Sequence, residues 1–388
     1  MQIKIGAVLA LSLLLVLGLT ACFESPAAVA PKATQLSSLL GAPETAGYAQ
    51  ALTPREFNFP ADHGPHPAYR SEWWYWTGNL SAEDGRAFGY QFTVFRFALA
   101  PLSAAPLSAA TERASQWGAR ETWLAHLTLS DVDNKKFYAF ERAGRGALDL
   151  AGATAVPFRV HCDGWEATEQ IGGAALGSLR IHADAGAVAL DLILAPGKPR
   201  VLHGDRGLSR KGPEPGNASY YYSQTRMPTT GSLRVSGQEY RIAGNSWMDR
   251  EWSTSALAPG VVGWDWFALQ LTDGREVMLY RLRRADGSAT EFSSGALIAV
   301  DGSHTPLTAE QFTITASATW ASRTGVIYPS QWRLQTAGLD LQIIPAIADQ
   351  ELDLTVRYWE GAVTIHEVTS GRSAGVGYVE LAGYPALP

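Results

Sequence analysis

Cysteine is scarce in this sequence. Only Cys22 and Cys162 occur among the 388 residues, and Cys22 lies in an N-terminal leader described below. Cys162 is therefore left without a partner, and no disulfide framework is predicted. We expect the Cys162 thiol to be buried and inert rather than a nucleophile.

Charge is scarce as well. Charged residues make up 18% of the chain, and the formal net charge is −6. Proteins that bind nucleic acids concentrate lysine and arginine on one surface, since phosphate contacts dominate their affinity. The composition therefore excludes nucleic acid as a partner.

Motifs of several enzyme classes are absent. The sequence has no P-loop and no dinucleotide-binding fingerprint. The segment from Gly244 to Ser246 does not complete a G-x-S-x-G nucleophile elbow. Because no nucleophile and base can be paired from the sequence, a hydrolase is the weaker enzymatic alternative.

Long apolar runs are absent except near residue 1. The segment Ile5 to Leu19 follows Lys4 and has the length of a signal-peptide core, too short to span a bilayer comfortably. The segment Leu19 to Cys22 resembles a bacterial lipobox, in which the cysteine carries a diacylglycerol. The alternative is an ordinary signal peptide with a cysteine beside it by chance. Phe23, rather than an aspartate, follows the cysteine and favours an outer-membrane anchor that faces the periplasm.

The remaining sequence is dominated by β patterns. Residues 23–52 are rich in alanine, serine, proline and glycine, which predicts a flexible tether. Alternating and aromatic segments then predict hairpins over residues 72–99, 122–142 and 179–194. No segment has a long, well-capped helical period. We therefore predict an all-β fold of antiparallel barrels or sandwiches with few, short helices.

An internal repeat divides the predicted folded part. The segment Trp74 to Trp76 precedes a turn at Asp84 to Arg86, and Trp264 to Trp266 precedes a turn at Asp273 to Arg275. The two turns lie about half of the chain apart, which favours duplication over a chance recurrence of common Asp-Gly turns. We predict two β domains, over residues 53–226 and 227–388.

A first cluster of polar and aromatic residues covers residues 62–76. His63 and His66 beside Asp62 resemble metal ligands, but no third ligand is evident, so no metal site is expected. Glu72 lies among aromatic residues and has two interpretations. It forms a structural ion pair with Arg96 across the hairpin, or it is a catalytic acid.

A second cluster covers residues 244–267. On a strand, Asp249 and Glu251 point to the same face, while Arg250 points to the other. Paired carboxyl groups in an apolar wall can raise one pKa and provide a general acid. Asp265 lies between two tryptophans and is a further candidate. The structural alternative is an ion pair of Arg250 with Asp265 or Glu72.

The sequence resembles the AttH-like branch of the carotenoid 1,2-hydratase superfamily, often described as predicted secreted hydrolases or lipocalin-like proteins. The resemblance extends from about residue 53 to residue 388 and rests on long, aromatic-rich motifs. These motifs are Asp62 to Pro67, Glu72 to Tyr75, Asn245 to Trp252, Gly263 to Trp266, Tyr358 to Gly361 and Gly375 to Leu381.

The resemblance implies two lipocalin-like β-barrel domains packed together and an apolar ligand cavity. Carotenoid hydratases protonate a terminal double bond and add water, related fungal proteins assist cycloadditions of polyenes, and AttH-type genes often lie beside genes for ABC-transporter permeases. Asp249 matches the hydratase segment, whereas Arg250 and Glu251 occupy the place where that branch is expected to have a histidine.

Three functions follow as hypotheses. The first is a membrane-tethered periplasmic protein that binds an apolar lipid, polyene or terpenoid-like molecule. The second is a hydratase- or cyclase-type enzyme without a cofactor, in which Asp249, Asp265 or Glu72 is the acid and tryptophan faces stabilise a cation. The third is a structural accessory to an ABC transporter. The residues expected to contact the ligand are Trp74, Trp76, Arg96, Trp247, Arg250, Glu251, Trp252, Trp264, Trp266 and Tyr280.

The lipobox-like segment yields a testable prediction. In a Gram-negative host, the Cys22→Ser variant should lose incorporation of an alkyne-labelled fatty acid and leave the membrane fraction, because the acyl chains provide the anchor. The Cys162→Ser variant is the matched control and should keep both properties. Unchanged labelling and membrane recovery of the Cys22→Ser variant would contradict the anchor.

Overall fold

A computed structural model describes residues 34–35, 45–102, 120–170, 177–255 and 257–385. The predicted signal peptide, Cys22 and most of the predicted tether lie outside these residues. Within them the chain is all-β, which confirms the predicted fold class: two curled sheets form a nearly closed barrel and a half-barrel. No helix in the described part of the chain is long and apolar enough to cross a membrane.

The first sheet contains thirteen strands, β2 to β14. Their bounds are β2 Ser71–Ala82, β3 Ala87–Ala98, β4 Glu121–Asp131, β5 Lys136–Arg145, β6 Ala151–Ala155, β7 Phe158–Cys162, β8 Trp165–Glu169, β9 Leu179–Asp184, β10 Val188–Leu194, β11 Val201–Leu202, β12 Leu208–Arg210, β13 Ala218–Val235 and β14 Gln238–Ser255.

The second sheet contains eleven strands, β1 and β15 to β24. Their bounds are β1 Thr34–Gln35, β15 Val261–Leu271, β16 Glu276–Arg284, β17 Ser294–Ile298, β18 His304–Thr308, β19 Phe312–Ala321, β20 Ile327–Thr336, β21 Leu339–Pro345, β22 Glu351–Asp353, β23 Val356–Glu367 and β24 Ser373–Ala382. The described residues also include two short 3₁₀ helices, Ala61–His63 and Ala309–Gln311.

The two sheets share one strand order. The first runs β5-β4-β3-β2-β14-β13-β10-β9-β8-β7-β6, and the second runs β18-β17-β16-β15-β24-β23-β21-β20-β19. In the first sheet the last long strand, β14, pairs with β2, the first strand of the opening hairpin. In the second sheet β24 pairs with β15 in the same way. The shared order agrees with the repeat seen in the sequence. The predicted boundary between residues 226 and 227 lies inside β13, whereas the chain passes between sheets after Ser255.

The repeated turns have the same geometry. The carboxylate of Asp84 accepts a hydrogen bond from the backbone N–H of Arg86 at 3.1 Å, and Asp273 accepts from Arg275 at 3.0 Å. The glycine between each pair has a positive φ, 88° at Gly85 and 86° at position 274, which a residue with a Cβ adopts only with strain. The predicted Asp-Gly hairpin turns are therefore confirmed.

Apolar side chains fill the concave face of each sheet. In the first sheet, Trp74 stacks on Trp123 with 5.8 Å between ring centroids, and Trp76 stacks on Phe92 at 5.9 Å. In the second, Phe267 packs edge-on against Trp332. Every second residue of a strand points to this face. The residues between them point outward, where the two sheets pack on each other.

Cys162 belongs to the first of these cores. It is fully buried and unpaired, and burial raises the pKa of its thiol to about 12. The prediction of a buried thiol is confirmed, and a group that stays protonated at neutral pH is a poor nucleophile.

Glu72 is the centre of a buried ionic cluster in the first sheet. Its carboxylate binds the guanidinium groups of both Arg96 and Arg250 and accepts hydrogen bonds from the backbone N–H of His66 at 3.0 and 3.1 Å. Burial acts to raise the pKa of Glu72, but the two arginines hold it well below its usual range. The carboxylate is thus ionised at neutral pH and has a structural role.

A second buried glutamate joins the two sheets. Glu276, on β16, is fully buried. It accepts hydrogen bonds from Arg226 Nε at 2.5 Å, across from β13, and from Lys198 Nζ at 2.7 Å. Nearby, Asn79 donates to the carbonyl of Gly377 at 3.1 Å. Buried ion pairs of this kind fix the position of the two sheets relative to each other, because a displaced partner would leave a buried charge unpaired.

The Glu72 cluster predicts a large effect of a small change. The Glu72→Gln variant should lose about 3–5 kcal/mol of unfolding free energy, because two buried guanidinium groups lose their counter-charge. Urea unfolding followed by tryptophan fluorescence measures the loss. The control is Asp191→Asn, which breaks a half-exposed pair with Arg180 and should change stability by less than about 1 kcal/mol. Equal stability of the two variants would refute the structural assignment.

Candidate functional site

A cleft lies between the outward faces of the two sheets. The space between its walls is about 720 Å³, part of which is open solvent. Its walls are mostly aromatic, with four charged or acidic side chains among them. The lining residues are Trp73, Tyr75, Thr93, Phe95, Lys211, Tyr221, Asp249, Glu251, Leu257, Trp264, Trp266, Tyr280, Leu282, Tyr358 and Glu380.

Asp249 lies in the wall formed by β14 and is 4% exposed. Its Oδ1 accepts hydrogen bonds from Ser223 Oγ at 2.5 Å and Trp247 Nε1 at 2.7 Å, and its Oδ2 accepts one from Tyr221 Oη at 2.6 Å. Burial raises the pKa of Asp249 to about 7, against the lowering effect of these three donors. The carboxyl group therefore exchanges a proton near neutral pH, as a general acid requires.

The donors around Asp249 form a directed network with the second sheet. Tyr221 Oη, which donates to Asp249, accepts a hydrogen bond from Trp266 Nε1 at 3.1 Å. Burial and the neighbouring carboxylate raise the pKa of Tyr221 well above its ordinary value, so the phenol stays protonated. The indole of Trp266 thus links β15 to the acid on β14.

A second carboxyl group enters the cleft from the opposite wall. Glu380 on β24 accepts a hydrogen bond from Trp264 Nε1 at 2.7 Å, and burial raises its pKa to about 7. Its cross-strand partner is Glu360 on β23. Burial and the neighbouring Glu380 raise the pKa of Glu360 well above its ordinary value, while Tyr75 Oη donates to its Oε1 at 2.7 Å. Asp249 and Glu380, two acids with pKa values near 7, therefore face the same cleft.

Lys211 is the cation of the cleft. Its Nζ lies 3.4 Å from Glu251 Oε1 and 3.9 Å from the centroid of the Tyr280 ring. Burial lowers the pKa of Lys211, but Glu251 and Tyr280 outweigh it, and the pKa lies above the ordinary value. The Tyr280 ring thus stabilises the ammonium group by a cation–π contact.

The structure brings five of the predicted site residues to the cleft and leaves the others outside it. Those in the walls are Asp249, Glu251, Trp264, Trp266 and Tyr280. Trp247 supports the site by its hydrogen bond to Asp249. The alternation on β14 explains the division, since residues 249 and 251 face outward and residues 250 and 252 face the other way.

The remaining candidates have structural environments. Trp74 and Trp76 pack in the first core, and Trp252 stacks on His66 with 3.8 Å between centroids. Arg96 and Arg250 bind Glu72, as described above, so the proposed pair of Arg250 with Glu72 is present and the pair with Asp265 is not.

Asp265 is the third tentative acid. It points away from the cleft and binds Arg283 at 2.9 Å, Arg281 at 2.9 Å and the phenol of Tyr384 at 2.8 Å. Asp265 thus has guanidinium and phenol partners that lie outside the cleft. Asp265 and Glu72 therefore both lie in buried ion pairs outside the cleft.

Several residues of the cleft were not singled out from the sequence. They are Lys211, Tyr221 and Glu380, which line the cleft, together with Glu360, the cross-strand partner of Glu380. The motif containing Glu380 was noticed, but a glutamate on a late strand carries no local mark that it faces another sheet. Only the packing of the two sheets shows that Glu380 and Asp249 share a cavity.

Metal ligands are also absent from the described part of the chain. No group of three or more histidine, cysteine, aspartate or glutamate side chains there could hold a metal ion. His63 donates to or accepts from Tyr222 Oη at 2.6 Å, and His66 bonds Asp62 at 3.0 Å. These two histidines belong to the packing around the Glu72 cluster.

Comparison with known proteins identifies relatives of the same fold. The sequence model of the AttH-like family matches residues 50–384. A crystal structure from Nitrosomonas europaea, assigned to AttH, is 33% identical, with a TM-score of 0.74, and covers 87% of this chain and 100% of its own. Kievitone hydratase from Nectria haematococca is 17% identical, with a TM-score of 0.63, and covers 92% and 96%. No curated protein sequence matches.

Two indole N–H groups in the cleft provide direct reporters of its acids. In protein labelled with ¹⁵N-tryptophan, the Trp247 and Trp264 signals should shift with pH and have midpoints near 7, because their acceptors Asp249 and Glu380 ionise there. The Asp249→Asn variant should abolish the Trp247 transition and keep that of Trp264. The control is Trp359, which donates to a backbone carbonyl and should not titrate. A Trp247 signal with no transition between pH 5 and 9 would contradict the raised pKa.

Proposed function

The chain belongs to the AttH-like family, and from that premise we propose that it binds an apolar, unsaturated small molecule in the cleft and adds water to a double bond by acid catalysis. The substrate class is a neutral polyene, terpenoid-like or prenylated compound. The apolar walls provide the affinity, since burial of apolar surface yields about 25 cal/mol per Å².

The environment of Asp249 is the observation that carries this proposal. The group combines burial in an apolar wall, a proton affinity matched to neutral pH and a position beside ring faces. Alkene hydration needs an acid that protonates carbon and a surface that tolerates the resulting cation. Trp266 and Trp264 provide such faces within the same walls.

The proposed reaction returns every group to its starting state. The proton on Asp249 moves to one alkene carbon, and the π electrons form the new C–H bond, which leaves a carbocation on the other carbon. Water then forms a C–O bond to the cation, and the Asp249 carboxylate takes back the proton that the water releases, either directly or through Glu380, which passes it on. Glu360 lies beside Glu380 and stays protonated. These two neighbouring carboxyl groups are therefore not ionised at the same time.

The related fold supports the reaction class. Kievitone hydratase is named for a hydration reaction, and at 17% identity its similarity extends to the fold. The cleft of this chain supports the same class of reaction, because its acids and aromatic walls are suited to the addition of water. A hydrolase is not favoured, since the cleft-lining residues include no serine, cysteine or threonine bonded to a basic partner.

We place the reaction at a membrane surface. The lipobox-like segment ending at Cys22 would anchor the protein to the outer membrane on its periplasmic side, where apolar molecules partition. An ABC transporter that delivers or removes such molecules is a compatible partner. The Cys22→Ser fractionation described above tests the anchor, and crosslinking in the native membrane tests the partner.

Hydration activity is tested by mass. Purified protein is incubated in H₂¹⁸O with kievitone and a panel of polyenes and prenylated phenols, and products that gain one labelled water are sought. The Asp249→Asn variant should bind a converted compound with a Kd within about threefold of wild type and lose turnover about 10²–10⁴-fold, the usual contribution of a general acid. The control, Asp191→Asn, should keep both.

The other outcomes separate the hypotheses. Tight binding of panel compounds without any labelled product would favour a carrier. Retained turnover in Asp249→Asn would show that another group is the acid. The pH profile adds an independent check: kcat/KM of wild type should fall as pH rises through about 7, since the acid must be protonated.

A further inference from the structure

A buried histidine lies behind Asp249. His203 is 2% exposed and follows β11. Its Nε2 lies 2.7 Å from Ser223 Oγ, and Ser223 Oγ lies 2.5 Å from Asp249 Oδ1. The ring also packs against Tyr221, with 4.3 Å between centroids. His203, Ser223 and Asp249 therefore form one hydrogen-bonded chain that ends at the candidate acid.

The direction of this chain follows from the unpartnered ring nitrogen. Nδ1 of His203 is buried without a hydrogen-bond partner. An unpaired buried N–H is rarer and more costly than an unpaired acceptor, so the proton of the neutral ring lies on Nε2. Burial also holds the pKa of His203 well below its ordinary value. His203 thus donates to Ser223, and the serine hydroxyl must donate onward to Asp249.

We propose that His203 is a positioning residue: it fixes the hydroxyl hydrogen of Ser223 on Asp249 Oδ1, so that the transferable proton of Asp249 is held on Oδ2. This inference rests on the proposed function for its catalytic meaning. Ser223 and Trp247 occupy both acceptor positions of Oδ1. Oδ2 receives one donor, Tyr221, and keeps its second position for a proton.

Fixing the proton on one oxygen matters for the proposed reaction. A hydroxyl that rotates freely would let the proton occupy either oxygen, and only some encounters with a double bond would be productive. Ser223 and Tyr221 lie on the same outward face of β13. The geometry of this strand therefore determines which oxygen of Asp249 carries the proton. His203 acts through Ser223 and does not line the cleft.

The other groups that influence Asp249 come from every neighbouring element. Glu251 lies two residues along β14 and acts to raise the Asp249 pKa. Tyr75, the cross-strand partner of Asp249 on β2, and Glu360 and Glu380 on the second sheet interact electrostatically with the Asp249 charge. Besides burial, His304 on β18 and then Lys211 act to lower the pKa of His203. Variants at His203 must therefore be compared with wild type in the same buffer and salt, so that these groups act equally on Asp249 in both proteins.

The test uses the Trp247 indole signal as a reporter of the Asp249 titration in full-length protein. The Ser223→Ala variant should raise the midpoint by about one pH unit, because a charge-stabilising donor is lost. The His203→Leu variant should raise it on the order of half a unit, since the serine hydroxyl is freed to rotate. The His203→Gln variant, whose amide can donate to Ser223, should restore the wild-type midpoint.

Outcomes that overturn the inference are distinct from failure of the proposed function. A His203→Leu midpoint equal to wild type, with Ser223→Ala raised, would show that His203 does not position the serine. An unchanged midpoint in the Ser223→Ala variant would show that the hydrogen bonds through Ser223 do not act on the Asp249 titration. Where His203→Leu fails to fold, a His203→Gln midpoint shifted as far as that of Ser223→Ala also refutes the role. These titrations need no substrate, so an absence of hydration activity would leave them unaffected.

Discussion

The alternation of side chains along β14 is the constraint on which the rest of the structure depends. Arg250 points to one side and closes the Glu72 cluster, which holds the first sheet together. Asp249, the adjacent residue, points to the other side and enters the cleft. Because β14 pairs with β2 and β13 along most of its length, its register cannot slip. A shift of one residue would put the acid in the core and a guanidinium in the cleft.

Glu72 and Asp249 are both buried, yet their proton affinities move in opposite directions. The lowered pKa of Glu72 favours the folded state above the pKa of the unfolded carboxyl, and this stability is lost as pH falls through the folded value. The raised pKa of Asp249 has the reverse effect: it favours folding at acidic pH, and that contribution is lost as pH rises through about 7. Placing an uncompensated acid in the cleft therefore lowers stability at alkaline pH, as functional groups often do.

Much of the fold was predictable because its signals are local. The Asp-Gly turns, the alternating strands and the repeated Trp-x-Trp segments predicted an all-β, two-part structure, and strand alternation correctly separated Asp249 and Glu251 from Arg250. The cleft was not predictable. Lys211 follows β12, whereas Tyr221 and Glu380 lie on β13 and β24. No local pattern in the sequence states which outward faces meet. Glu72 and Asp265 had the same sequence signal as Asp249, an acid among aromatics, and only their arginine partners distinguish them.

The position of the cleft follows from the shared strand order of the two sheets. Each sheet fills its own concave face with aromatic and aliphatic side chains, so the outward faces remain for polar groups. The acid, with its donors Ser223 and Trp247, comes from the first sheet, whereas Glu380, Trp264 and Trp266 come from the second. The two acids with pKa values near 7, Asp249 and Glu380, thus come from different sheets. The buried Glu276 cluster, which binds Arg226 across the sheets, therefore contributes to the site, because it fixes the packing that brings the two half-sites together.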